Sequence, residues 1–405
     1  MAKRFSPPPF CPRPPGAQAP RHLHPTLPRE TPTLPGRQEG AARVTIATAT
    51  SRGFALAGGL LIVALVALPL IASRSLMQDL VFIFYMFTLA QFWNLLAGYV
   101  GLVSVGQQTF VGLGGYLLFA LTVMVGLDPL LAILLAGIIA AVLAIPTAFV
   151  VFRLQGAYFA VGTWVMAEVY RLVFAQVKEL GGGTGTSLPP AVTNSTIGID
   201  WIRLALDLRT PAARDVLTYW IALAIAAGSA LAIYMVLRSR RGLALAAIRD
   251  STAAAQSLGI DIFRAKLWIY VFAAAGAGMA GALIYLQKAR ISPDAAFSVL
   301  DWTAYVIFIV VIGGIGTLEG PIIGVLVFYF MQTYLAGFGS WYLILLGVLA
   351  IATMLFTPKG IWGHFSQRFG IVLFPVQRRV SMSAEPVLPP SPQQVHLSRK
   401  SGLSP

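Results

Sequence analysis

Ten apolar runs of roughly 20 residues constrain this chain more than any other feature: 54–72, 78–97, 100–126, 129–152, 155–177, 216–237, 267–287, 300–317, 319–338 and 341–357. About 20 helical residues cross the hydrocarbon of a bilayer, and a helix satisfies its own backbone groups there. With 57% apolar and only 11% charged residues, the expectation is all-α: a polytopic membrane protein of about 8–10 transmembrane helices. Glycine interrupts the third and eighth runs, and the turn between the eighth and ninth is very short.

The formal net charge of +14 is placed in a way that argues against nucleic acid as a partner. If all ten runs cross and the N-terminus is cytoplasmic, 21 Lys and Arg fall on the inner side and seven on the outer, with Arg171 inside a run. That asymmetry follows the positive-inside rule. It puts both termini, and the loop 238–266, in the cytoplasm of a cell whose inner membrane holds the chain.

Residues 1–52 contain eleven Pro, eight Lys or Arg and two Glu. Such a composition buries too little apolar surface to offset chain entropy, so a disordered Pro/Arg-rich tail is expected, or a start codon set too far upstream. The apolar, membrane-spanning body covers 53–363, and 364–405 reads as a polar C-tail without assigned fold. The one cysteine, Cys11, allows no internal disulfide and no thiolate cluster.

Catalytic chemistry finds no residues to carry it. The run Gly181-Gly-Gly-Thr-Gly-Thr-Ser187 has the look of a phosphate loop but lacks the Lys that would reach phosphates. His22, His24, His364 and His396 all lie outside the apolar runs, and no cluster has metal-ligand spacing. The chain is read as neither an enzyme nor an ATPase, with no cofactor and no metal.

Two Gly-rich segments disturb the apolar pattern. Asn94 to Tyr116 holds six Gly together with Ser104, Gln107, Gln108 and Thr109. Irregular backbone with polar side chains cannot face lipid, so it faces protein or a water-filled path. The second segment, Ile312 to Gly324, contains Gly313, Gly314 and Gly316. Runs three and eight hold the same place in successive groups of five, which points to an inverted 5+5 repeat.

Between the sixth and seventh runs lies a polar, cationic, Ala-rich segment, Arg238 to Asp261. Asp250 or Ser251 can cap a short helix there and Gly259 can end it. A membrane protein gains little from such a structured loop unless a soluble partner grips it.

Six segments in order now carry a resemblance: Asn94 to Tyr116, Arg153-Leu-Gln-Gly-Ala-Tyr-Phe-Ala160, Gly242 to Gly259 with Arg249, Ile291-Ser-Pro293, Val311 to Gly324 and Phe356-Thr-Pro-Lys-Gly-Ile-Trp-Gly363. Over roughly 54–363 the chain resembles the LivM-type permease of branched-chain amino-acid ATP-binding-cassette importers. The resemblance implies a second LivH-type permease, two cytoplasmic ATP-binding subunits and an extracytoplasmic solute-binding protein as partners. It also implies that Gly242, Arg249, Ala253, Ala254, Ala255 and Gly259 form the ATPase-coupling loop, whose Glu-Ala-Ala-x-x-x-Gly pattern appears here with Ala253 in the Glu position. Gly181-Gly182-Gly183-Thr184 stands where relatives often have Thr-Gly-Gly.

Asn94, Ser104, Gln107, Gln108, Gly313, Gly314 and Gly316 are the candidate lining of a translocation path, with Glu168 and Arg171. The last two are spaced i, i+3 and can pair on one helix face. The pair reads either as a structural ion pair or as a transient contact for a zwitterionic solute. Two other classes stay open on the residues: an importer of the same class for urea, amides or other small solutes, and an ion-coupled secondary transporter.

Overall fold

The computed structural model describes residues 43–45, 49–339, 341–357, 359–369 and 379–381. Most of the two tails therefore lies outside the described residues.

Among the described residues, sixteen α-helices follow in chain order. They are α1 (Ala49–Ala67), α2 (Arg74–Asn94), α3 (Gln108–Phe119), α4 (Pro129–Val151), α5 (Ala157–Ala175), α6 (Pro190–Asn194), α7 (Ile199–Leu206), α8 (Thr210–Arg238), α9 (Arg240–Asp250), α10 (Thr252–Ser257), α11 (Ile262–Lys288), α12 (Pro293–Ala296), α13 (Tyr305–Gly313), α14 (Gly320–Leu335), α15 (Trp341–Phe356) and α16 (Gly360–Phe369). Among the described residues, six helical stretches are long and apolar enough to span a bilayer: Arg74–Val100, Pro129–Val151, Thr210–Arg238, Ile262–Lys288, Pro293–Gly313 and Trp341–Ser366. Ala57–Leu70, Gln108–Met124 and Gly320–Leu335 are shorter apolar helices. The chain is an all-α polytopic membrane protein.

Every expected run contains helix, but boundaries differ. The third run, expected over 100–126, is helical only from Gln108; residues 101–107 leave the helix after a π-helical turn, Leu95–Val100. The eighth begins earlier than expected, because α12 and a π turn, Leu300–Ala304, lead into α13. The fifth, α5, is helical over 19 residues, yet Glu168 and Arg171 reduce its apolar character. Helix also reaches past both expected tail boundaries, starting at Ala49 and continuing to Phe369, where Trp362, Phe365 and Phe369 stack in sequence.

α2 and α11 form the centre. On α4, Ala132, Ala136, Ala140, Ala144 and Ala148 recur every fourth residue and are all buried. This stripe lets α11 approach closely, and a Cβ on Gly278 of α11 would lie 2.7 Å from the Ala140 Cβ. The opposite face of α4, with Leu134, Ile138, Val142 and Ile145, is exposed for lipid. Where lipid tails are as apolar as leucine, packing of small residues rather than water exclusion holds such helices together.

The connections gather at two ends. At one, Asp128 caps α4 and also accepts from the Ile197 backbone N–H, and Thr186–Ser187 pairs antiparallel with Arg290–Ile291. At the other lie α9, α10, α16, the 152–156 turn and the Gly314–Glu319 turn. Side-chain N-caps from Ser73, Ser239, Ser251 and Asp261 start α2, α9, α10 and α11, each worth about 0.5–2 kcal/mol.

Candidate functional site

The segment between α8 and α11 folds into two short helices rather than a loose connector. Ser239 caps α9, and Gly242 passes so close to the Leu237 carbonyl that any side chain there would collide with it. Arg241 lies over the Trp268 ring, 4.4 Å from its centroid, which holds α9 to the start of α11. Ser251, not Asp250, caps α10, accepting from the Ala254 N–H at 3.3 Å. Gly259 ends the element at φ +80°, a left-handed conformation natural to glycine. Ala255 is fully buried, whereas Ala253, Ala254 and Leu258 are exposed. The element thus offers a small-residue surface to solvent, anchored from beneath.

Arg249 ties this element to the membrane part. Its guanidinium donates to the Gly98 carbonyl at 3.3 Å, at the end of the helix begun by α2. Around that carbonyl the two Gly-rich segments meet. Asn94, 1% exposed, donates through Nδ2 to the Thr317 carbonyl at 2.7 Å, and its Oδ1 accepts from the Gly316 N–H at 2.8 Å. A Cβ on Gly98 would sit 2.5 Å from both Asn94 Oδ1 and Gly316 N, so only glycine allows this approach. Gly314 and Gly316 take positive φ, and Gly313 packs directly on the Gly320 carbonyl.

The irregular stretch 101–107 is satisfied by partners from other helices. Trp93 Nε1 donates to the Ser104 carbonyl at 2.8 Å, the Val105 N–H donates to Thr163 Oγ1 at 3.1 Å, and Gln107 Nε2 donates to the Leu89 carbonyl at 2.9 Å. The Thr303 hydroxyl donates to Gln108 Oε1, and the Gln108 N–H donates back to Thr303 Oγ1 at 3.3 Å. Ser104, Gln107 and Gln108 are all buried inside the bundle, so in this conformation they face protein. Among the described residues Gln107 Oε1 and Gln108 Nε2 find no partner.

Glu168 and Arg171 stand apart from these groups, on an exposed face of α5. Arg171 Nε donates to both Glu168 carboxylate oxygens at 2.9 and 3.0 Å, and its Nη1 donates to Asp294 Oδ1 at 2.6 Å. Glu168 remains 48% exposed, flanked by Val161, Trp164, Val165, Val169 and Leu172. Sequence reading missed Asp294 and Thr303: neither shows periodicity, and each acts only through a partner more than 100 residues away.

At the foot of α5 an open groove of about 940 Å³ lies between Val103, Phe152, Gln155, Gln256, Ile260 and Lys266. One wall is α10 itself. The predicted residues accordingly form four groups: Gly242, Arg249, Ala253, Ala254, Ala255 and Gly259 in the short helices; Asn94, Gly313, Gly314 and Gly316 around Gly98, whose carbonyl accepts from Arg249; Ser104, Gln107 and Gln108 in the interior; Glu168 and Arg171 on α5.

Relatives of the chain are found among known transport proteins. The high-affinity branched-chain amino acid transport system permease protein LivM of Escherichia coli (strain K12) is 28% identical over 314 residues, covering 74% of this chain and 73% of the relative. The LivM protein of Salmonella typhimurium matches to the same extent, at 28% over 314 residues. A probable branched-chain amino acid transport permease protein LivH of Methanocaldococcus jannaschii is 25% identical over 143 residues, 33% of this chain and 44% of its own length. No solved structure matches the chain. Residues 75–356 match the family described as branched-chain amino acid transport system / permease component, and the chain belongs to that family.

Proposed function

We propose that this chain is one of two permeases in an ATP-driven importer of branched-chain amino acids in a bacterial inner membrane, hydrolysing no ATP itself. A LivH-like permease completes the membrane part, two ATP-binding subunits dock on the α9–α10 end, and a solute-binding protein delivers solute to the other. Both termini and α10 lie in the cytoplasm, in keeping with the excess of Lys and Arg on that side.

The observation that carries this reading is α10: a capped helix with an exposed small-residue surface, linked through Arg249 and Gly98 to the central helix α2. Closure of the ATPases moves α10, and the rigid link passes that motion to α2 and the 314–319 turn, tilting the permeases between outward-open and inward-open states. The α5 face supports a path between the two permeases, because a half-exposed Glu168–Arg171 pair is costly against lipid and acceptable beside water or protein. Solute leaves by the groove below α5.

The test is uptake by the whole complex in proteoliposomes at equal permease content. Gly259→Val strains the stop of α10 and Ala254→Glu obstructs close docking; both lie outside the bilayer, so assembly survives while ATP-driven leucine uptake falls at least fivefold. Parental uptake by both variants removes α10 as the ATPase contact. Transport of urea or amides in preference to leucine overturns the substrate.

A further inference from the structure

At the end of the bundle away from α9 and α10, the start of α2, the start of α8 and the last turn of α11 enclose a recess of about 120 Å³. Arg74, Gln78, Arg214, Asp215, Thr218 and Gln287 line it, with three apolar side chains. The Arg74 Nε lies 2.5 Å from Asp215 Oδ2, whose side chain is 14% exposed, so one guanidinium and one carboxylate balance. Arg214 makes no ion pair among the described residues, and the Thr218 hydroxyl turns inward to the Arg214 carbonyl at 2.9 Å. The recess therefore holds one net positive charge, supplemented by two amides able to donate.

Size and surroundings select the occupant. An open recess of about 120 Å³, lined largely by polar side chains, suits an oxyanion group rather than an apolar side chain. Beside the recess, Tyr219 and Trp220 of α8 donate to the Leu65 and Val66 carbonyls of α1 at 2.8 and 3.1 Å. α1 exposes Leu60, Leu61 and Val63, an apolar wall suited to acyl chains. A cationic recess next to a lipid-facing helix fits an amphiphile with an anionic head. We propose that it binds the phosphate group of a phospholipid, with Arg214 as the principal donor and the remaining Arg74 N–H groups assisting.

The purified full chain, stripped of lipid in detergent, is titrated with phosphatidylglycerol, with diacylglycerol of the same acyl chains, and with inorganic phosphate. Bound lipid is read by native mass spectrometry and thermal unfolding by intrinsic fluorescence. Phosphatidylglycerol is expected to remain bound and raise the unfolding temperature while diacylglycerol does neither. Arg214→Gln, which keeps the Arg74–Asp215 pair, should weaken phosphatidylglycerol retention about tenfold, the scale of a charge-assisted hydrogen bond. Arg214→Lys should retain most of it, which separates lost charge from lost fold. Equal retention by the parent and Arg214→Gln, or equal binding of diacylglycerol, overturns the proposal. Stabilisation by inorganic phosphate alone, lost in Arg214→Gln, overturns the lipid and leaves a free oxyanion as the ligand.

Discussion

Arg249 and Gly98, 151 residues apart, are joined by a hydrogen bond of 3.3 Å that forms a polar link between the short helices α9–α10 and the centre of the bundle. Arg249 also reaches Asp250 Oδ1 at 3.3 Å, so its guanidinium is held from two sides. Arg249→Ala should leave expression and thermal stability near parental, since a partly exposed hydrogen bond contributes only about 0.5–1.5 kcal/mol. ATP-driven uptake by the assembled complex should fall several-fold while basal ATP hydrolysis persists. Measuring uptake and hydrolysis together checks this; a parallel loss of both, with lower permease content, would mark Arg249 as merely structural.

Gly98 itself tolerates no side chain. Gly98→Ala places a methyl group against Asn94 Oδ1 and Gly316 N, an overpacking expected to cost about 1–3 kcal/mol. The purified variant should unfold at lower temperature than the parent. A control at Gly228, whose Cβ would meet nothing within 4 Å, should shift far less.

Asn94 supplies two of the hydrogen bonds that hold the 314–319 turn to α2, beside the one that Gln91 Nε2 donates to the Leu318 carbonyl at 2.9 Å. Asn94→Leu removes them and leaves the Gly316 N–H and Thr317 carbonyl to find other partners, at about 1–3 kcal/mol for each buried group left unmade. Asn94→Asp keeps the acceptor for Gly316 but faces the Thr317 carbonyl with another acceptor, so it should also destabilise. Thermal unfolding of both variants in detergent, compared with the parent, gives the order: parent above either variant.

On α5 the expected split is different. Glu168→Gln keeps Arg171 paired with Asp294, and the exposed position limits the stability change to about 1 kcal/mol or less. If this face lines the path, leucine uptake should nevertheless drop, and Glu168→Asp should restore part of it. A variant with unchanged unfolding temperature and unchanged uptake would remove the pair from the path.

Orientation is tested by labelling. In a Cys11→Ser background, which lacks native cysteine, Ala253→Cys offers an exposed thiol on α10 without disturbing the Ser251 cap. Membrane-permeant maleimides should modify it in intact cells and impermeant ones should not. Labelling by impermeant reagent from outside inverts the proposed topology.

The lengths of the apolar runs were legible because the bilayer sets them: a segment of about 20 apolar residues has few alternatives to a spanning helix. The stop at Gly259 was legible too, and the cap was narrowed to Asp250 or Ser251, because capping uses neighbours only three residues apart; the structure chooses Ser251. What the residues alone left undecided was where a run stops being helical. Gly101, Ser104, Gly106 and Gln107 mark a disturbed helix over 101–107, but where it breaks depends on Trp93, Thr163 and Leu89, which stand ready with partners for Ser104, Val105 and Gln107. The same holds for the pairing of Asn94 with Gly316 and Thr317, of Gln108 with Thr303, and of Arg171 with Asp294. Each joins residues more than 100 positions apart, and no local pattern encodes which distant group will satisfy a buried polar atom. Helix and membrane were determined along the chain; the breaks, the clamp between the two Gly-rich segments and the anchoring of α10 were decided by packing, where an unsatisfied group inside hydrocarbon costs several kcal/mol and the tertiary fold alone supplies its partner.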